Sequence, residues 1–123
     1  LVEQAHRLTD IDTIIATDIN PEIKGFYGED NRVKGIVMDV GSDKMIRKVR
    51  EQLHTEGVSI KYIVNCAGIA RFFPLSETNT DQLDEILKVN TYGPVLTVSG
   101  FLQDLIKNKG RVVQISSDNV RLS

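Results

Sequence analysis

Four polar positions give this sequence its chemistry: Asp18, Asp39, Asn65 and Ser117, each standing at the end of a short apolar run. They lie 21, 26 and 52 residues apart in turn. A chain that repeats one strand-and-return plan therefore presents one polar group per unit to a common edge, and ligands of open parallel sheets bind outside that edge. A carboxylate at Asp18 can accept from both hydroxyls of an adenine ribose and repel a 2′-phosphate, which favours NAD over NADP; "DINP" also suits a plain Asx turn before Pro21. Asp39 can meet an adenine amino group, or can cap the turn that follows it. Asn65 opens "NCAG", whose small residues let a flat ligand or another backbone come close, with Gly68 expected to supply a conformation that other residues avoid. Ser117 ends the pair in "ISS" and offers a hydroxyl.

A second signal lies in "KVNTYGPV". Pro94 has no N–H for the carbonyl four residues back, which belongs to Asn90, and Gly93 weakens the helix further. A bend is expected here, with the main-chain oxygen of Asn90 left for a water or a side chain. Cys66 has no histidine near it in sequence and reads as a small buried apolar residue. His6 and His54 are far apart, so no metal-ligand spacing occurs, and one cysteine makes no internal disulfide.

The elements that must position these residues follow from periodicity. An amphipathic helix is expected over residues 1 to 9, and strands at about 13 to 17, 33 to 38 and 60 to 64, with a fourth in "GRVVQISS" after Gly110. Ser116 is expected at the end of that last strand. A helix over 43 to 56 starts from Ser42 or Asp43, and a long one over 80 to 107 starts from Asn79 or Thr80. Strands that are apolar throughout, alternating with helices, predict an α/β fold, a doubly wound parallel sheet covered on both faces.

At 123 residues the chain fills one domain and not two. With 41% hydrophobic and 26% charged residues and a formal charge of −2, nothing favours nucleic acid or an anionic membrane as partner. No stretch approaches the roughly 18 apolar residues of a spanning helix. The start lacks the apolar core of a signal peptide, so a cytoplasmic protein is expected.

Taken together, "NCAG", "VNTYGP" and "GRVVQISS" resemble a classical short-chain dehydrogenase/reductase, with one substitution in the Asn-Asn-Ala-Gly pattern. The resemblance covers essentially the whole chain and implies a Rossmann-like sheet. It implies reversible hydride transfer between NAD(H) and an alcohol or ketone, a small-molecule substrate, and a homodimer or homotetramer formed partly through the long helix. By resemblance, Ser117 orients the substrate oxygen and the main-chain oxygen of Asn90 holds a water in a proton relay. Asp18 and Ile19 meet the ribose, Asp39 and Val40 the adenine, and Asn65, Ala67, Gly68 and Val89 wall the adenosine half.

Two departures accompany these agreements. The family's Gly-rich turn, with its strand, precedes the region matched, and its acid/base tyrosine and lysine follow Ser117; neither is found in these residues, and Tyr62 and Tyr92 stand at the wrong positions to replace that tyrosine. In the strand order 3-2-1-4-5 the absent first strand lies between those ending at Asp18 and Asn65. The expectation is therefore a partial sheet, an internal segment of one longer dinucleotide-binding domain, inactive by itself. A nucleotide-sugar epimerase or dehydratase on the same scaffold, and a non-catalytic NAD-binding protein, are the alternative readings. "NCAG" speaks against the former. Asp118, Asn119 and Arg121 could line a polar substrate pocket or form a solvated loop.

Overall fold

The β-branched run after Asp12 pairs with the apolar run after Arg32. In the computed structural model, which describes residues 2–5, 7 and 11–117, a single turn, α1 (Val2–Ala5), falls where the first helix is expected. Strand β1 (Ile14–Asp18) leads through a short helix, α2 (Ile23–Phe26), to β2 (Val33–Val37). The two strands run parallel, with Ile14 beside Val33 and Asp18 beside Val37. Ile36 and Met38 are buried. Gly35 lies against α2 so closely that a Cβ there would overlap the Ile23 carbonyl. The sequence suggests no helix at α2, because its four residues are too short for apolar periodicity to show.

The chain divides into two units, Leu1–Asp39 and Val40–Ser123. In the second, Ser42 Oγ accepts the Met45 N–H at 3.3 Å and opens α3 (Asp43–Thr55). Ile46, Val49 and Leu53, spaced i, i+3, i+7, make one buried face of this helix. Complete burial of Ile46 and Leu53 stabilises by about 1.5–3 kcal/mol each. Strand β3 (Tyr62–Asn65) follows. Asn79 then caps α4 (Thr80–Leu87) with a reciprocal capping box to Gln82, both bonds at 3.1 Å. A π-helical turn over Lys88–Tyr92 leads into α5 (Gly93–Gly100) and α6 (Leu102–Lys107), and the chain returns as β4 (Arg111–Gln114). Strands β3 and β4 are parallel, with Tyr62 beside Arg111 and Asn65 beside Gln114. Phe101, Leu105 and Ile63 complete the core of this unit.

The fold is thus α/β, with parallel strands linked by helices and arranged as two pairs, β1–β2 and β3–β4. Among the described residues no ladder joins one pair to the other.

Several boundaries differ from expectation. β1 includes Asp18 as its last residue. β3 starts at Tyr62 because the backbone of Ile60 is taken by side chains: its N–H donates to Asp104 Oδ2 at 2.9 Å, and its carbonyl accepts from Asn108 Nδ2 at 2.9 Å. β4 stops at Gln114, so Ser116 is not a strand residue. The helix expected over 80 to 107 is a chain of shorter pieces, broken at the π-turn and at Phe101. Along β3, Ile63 and Asn65 are buried while Tyr62 and Val64 are exposed, and β4 is exposed throughout.

Candidate functional site

In the first unit, Asp18 and Asp39 share the carboxyl edge of the β1–β2 pair. The Met38 N–H donates to the Asp18 carbonyl at 2.9 Å, carrying the ladder one step beyond β2 and setting Asp39 at its end. Asp18 Oδ1 accepts the Asn20 N–H at 2.8 Å, and Asn20 Oδ1 in turn accepts the Glu22 N–H at 3.0 Å. The Asx turn is therefore real, and it occupies one carboxylate oxygen of a side chain that remains exposed, as does Ile19. A carboxylate offers about four lone-pair sites, so the turn and ribose hydroxyls are compatible demands. Asp39 is half-buried.

In the second unit the sites at the ends of β3 and β4 are neighbours by register. Asn65 is buried, and its carbonyl accepts the Ile115 N–H at 3.0 Å, so it ties the two strands together through the main chain. Cys66, Ala67 and Gly68 follow it, all exposed. Two sequence expectations fail here. Cys66 is not buried, because the strand has ended and the chain has turned out of the core. Gly68 has no left-handed φ, a feature found only at Gly28, Gly57 and Lys109 among the described residues. A Cβ at Gly68 would sit 3.6 Å from Asn90 Oδ1, an ordinary contact. Neither backbone conformation nor protein packing demands glycine there, which leaves its small size available to a ligand.

Asn90 is where the helix and this turn meet. Its Oδ1 accepts the Ile69 N–H and its Nδ2 donates to the Ile69 carbonyl, both at 2.8 Å. The sequence directs attention to the main-chain oxygen of Asn90; nothing in it marks the side chain, since its partners are backbone atoms 21 residues away. The bend is a π-turn: the Gly93 N–H reaches the Lys88 carbonyl, five residues back. Pro94 then donates to neither the Asn90 carbonyl four residues back nor the Val89 carbonyl five back.

Close approach holds this turn against the segment before α3. A Cβ on buried Gly93 would come within 2.8 Å of Val40 Cγ2, and one on Gly41 within 2.6 Å of the Lys88 side chain. Val89 is half-buried beside them in the chain. The second unit thus brings together Val40, Val89, Asn90 and the "NCAG" turn, with Ser117 three residues beyond β4 and exposed. Asp118, Asn119 and Arg121 lie outside the described residues.

Further along the same connection, Arg71 donates to Glu85 of α4 in a two-pronged pair, Nε to Oε2 at 3.2 Å and Nη2 to Oε1 at 2.7 Å. The hydrogen bonds from Arg71 hold the Glu85 carboxyl below its ordinary value, partial loss of water pulling the other way, and the same bonds raise Arg71. Sequence reasoning misses this pair because 14 residues and a 3-10 turn separate its members.

The small exposed residues Cys66, Ala67 and Gly68 after Asn65 leave room for a flat group at the end of β3, and in the first unit the Asp18 carboxylate stands exposed at the end of β1. For the pyrophosphate, the chain has no Gly-rich strand-to-helix turn among these residues. No group of three or more His, Cys, Asp or Glu side chains among the described residues is placed to hold a metal. None of the described helices is long and apolar enough to cross a membrane.

Comparison with known proteins identifies a family and a fold. The family profile described as short chain dehydrogenase matches residues 10–122. The chain is similar to 3-oxoacyl-(acyl-carrier-protein) reductase of Aquifex aeolicus, 33% identical over 103 residues, covering 83% of this chain and 41% of that protein. It is 37% identical over 75 residues to the mitochondrial D-beta-hydroxybutyrate dehydrogenase of Rattus norvegicus, 61% of this chain and 22% of the relative. Among solved structures, a gluconate 5-dehydrogenase from Burkholderia cenocepacia, in complex with NADP and tartrate, superposes with a TM-score of 0.73 at 24% identity. That superposition covers 85% of this chain and 44% of the other. The chain spans less than half the length of each of these relatives.

Proposed function

The chain belongs to the short-chain dehydrogenase family, and on that premise we propose that the protein carrying it is an NAD-dependent oxidoreductase interconverting a small alcohol and its ketone or aldehyde. The nicotinamide would supply or accept the hydride. The observation that carries the proposal is the π-turn at Lys88–Tyr92, locked by the Asn90 amide to Ile69 and followed by Pro94. Pro94 has no N–H to give to the Val89 or the Asn90 carbonyl, and a main-chain acceptor without that donor suits a bound water that passes protons.

Each residue then has a task. Asp18, with Ile19 beside it, accepts from the ribose hydroxyls; its negative charge disfavours a 2′-phosphate, which argues for NAD although the Burkholderia relative was crystallised with NADP. Asp39 and Val40 meet the adenine, while Asn65, Ala67, Gly68 and Val89 form the wall on which the adenosine half lies. Ser117 donates a hydrogen bond to the substrate oxygen and fixes its orientation. Homo-oligomerisation through α5 and α6 belongs to the same proposal. Tyr92, Val95, Leu102 and Ile106, spaced i, i+3, i+10, i+14, are all large, apolar and exposed.

The test is Ser117→Ala in the full-length protein. Turnover should fall by about 10²-fold or more, the scale of a lost positioned polar group in proton-transfer chemistry. NADH affinity, measured by fluorescence, should stay unchanged. Undiminished turnover would remove Ser117 from the site.

A further inference from the structure

The π-turn at Lys88–Tyr92 closes where the Gly93 N–H donates to the Lys88 carbonyl, so these two residues are the ends of one hydrogen bond. Both reach the segment before α3. Gly93 is buried, and a Cβ on it would meet Val40 Cγ2 at 2.8 Å and Val40 Cβ at 3.2 Å, so the Val40 side chain fills the notch that the missing Cβ leaves. Three successive carbons of the Lys88 side chain lie over the next residue: a Cβ on Gly41 would come within 2.6 Å of Cγ, 3.1 Å of Cδ and 2.8 Å of Cε. Inside the same turn, Asn90 holds Ile69 through two bonds at 2.8 Å, and a Cβ on Gly68 would stand 3.6 Å from its Oδ1.

One wide turn of helix thus sets two segments at once, the one carrying Val40 and the one carrying Gly68. Both belong to the adenosine slot of the dehydrogenase proposal, on which this inference rests. Close-packed protein passes a misfit on to its neighbours rather than absorbing it. We propose that the π-turn is the gauge of that slot: Gly93 and Lys88 are positioning residues that fix Val40 and Gly41, and Asn90 fixes the turn that carries Gly68. The roles of Gly93 and Lys88 are indirect, exerted through Val40 and Gly41. The group they serve is a flat purine base, and a gap of about 0.5–1 Å forfeits a quarter to a half of a dispersion contact, so a small displacement of Val40 is felt as lost affinity for that base.

The experiment titrates the full-length protein with two parts of the cofactor: ADP-ribose, which carries the adenine, and reduced nicotinamide mononucleotide, which does not. Gly93→Ala overpacks the notch, and should raise the Kd of ADP-ribose about tenfold while that of reduced nicotinamide mononucleotide changes by less than about twofold. Trimming the obstructed side chain should undo this: with Gly93→Ala and Val40→Ala together, ADP-ribose should bind within about threefold of Val40→Ala alone. Lys88→Ala uncovers Gly41 and should weaken ADP-ribose selectively by about threefold or more. Lys88→Met keeps an unbranched stem there and should bind as the unsubstituted protein does. Binding of reduced nicotinamide mononucleotide reports that each variant is folded, and if Gly93→Ala does not fold, the two Lys88 variants decide. Equal shifts for both ligands, no shift, a Gly93→Ala loss that Val40→Ala leaves in place, or Lys88→Met behaving as Lys88→Ala would overturn the gauge and leave the dehydrogenase proposal standing. An unsubstituted protein that binds neither ligand would overturn both.

Discussion

The side-chain amide of Asn90 closes on the backbone of Ile69, accepting its N–H and donating to its carbonyl, both at 2.8 Å. The π-turn of the helix and the turn after β3 are thereby one rigid piece. Asn90→Ala removes both bonds, and since Asn90 is exposed, water replaces part of the loss. The expected cost is about 1 kcal/mol of stability. Asn90→Asp keeps the acceptor but sets a carboxylate oxygen against the Ile69 carbonyl, so it should be no better than alanine. Urea unfolding checks both, and wild-type stability in Asn90→Asp would refute the two-bond account.

Asp104 sits at the other end of the sheet and joins three segments. It is buried, accepts the Ile60 N–H at 2.9 Å and meets His54 Nε2 at 2.8 and 3.1 Å. Asp104→Ala strands the Ile60 N–H and should cost about 3 kcal/mol. His54→Ala should cost less than about 1 kcal/mol, because the imidazole is nearly half exposed. Equal effects of the two substitutions on the denaturation midpoint would contradict the ranking.

Lys109 has φ of 50°, just past the end of α6, where the Gly110 N–H turns back to the Leu105 carbonyl. A Cβ is strained in this left-handed region, and glycine is the usual residue there. Lys109→Gly should therefore stabilise by about 0.5–1 kcal/mol, read as a higher Tm.

The Glu85 carboxyl is held below its ordinary value by hydrogen bonds from Arg71. A lowered folded-state pKa means that the pair's contribution is complete above the unfolded carboxylate value and disappears as pH falls through the folded one. The stability difference between the protein and Glu85→Gln should be flat at neutral pH and vanish in acid. Because both side chains are half exposed, it should also shrink in high salt. A difference that grows on acidification would reverse the sign and exclude the pair as its cause.

Asp18→Ala should weaken NADH binding by about tenfold, the loss of a charge-assisted hydrogen bond to hydroxyl, and leave NADPH affinity equal or improved. Titration with both cofactors decides it. A parallel loss for both would show that Asp18 serves only the turn to Asn20.

Much of the fold was legible in local pattern. Apolar runs of four or five residues gave the strands, Ser42 and Asn79 announced their helices, and Gly93 with Pro94 announced a break, because propensity, capping and a missing N–H act within a few residues. Where ends depended on distant partners, pattern failed. β3 begins two residues late because Asp104 and Asn108, over 40 residues away, take the backbone of Ile60.

The candidate site divides in the same way. The residue types at the strand ends, and the family to which the chain belongs, were present in the sequence alone, since short motifs carry them. Tertiary structure decided that the Asn90 side chain binds the backbone of Ile69, that Cys66 is exposed and Gly68 has no left-handed φ, and that Arg71 and Glu85 fasten the connection after β3. Each of these is a relation between residues far apart in the chain, and only folding sets the distances on which a hydrogen bond or an ion pair depends.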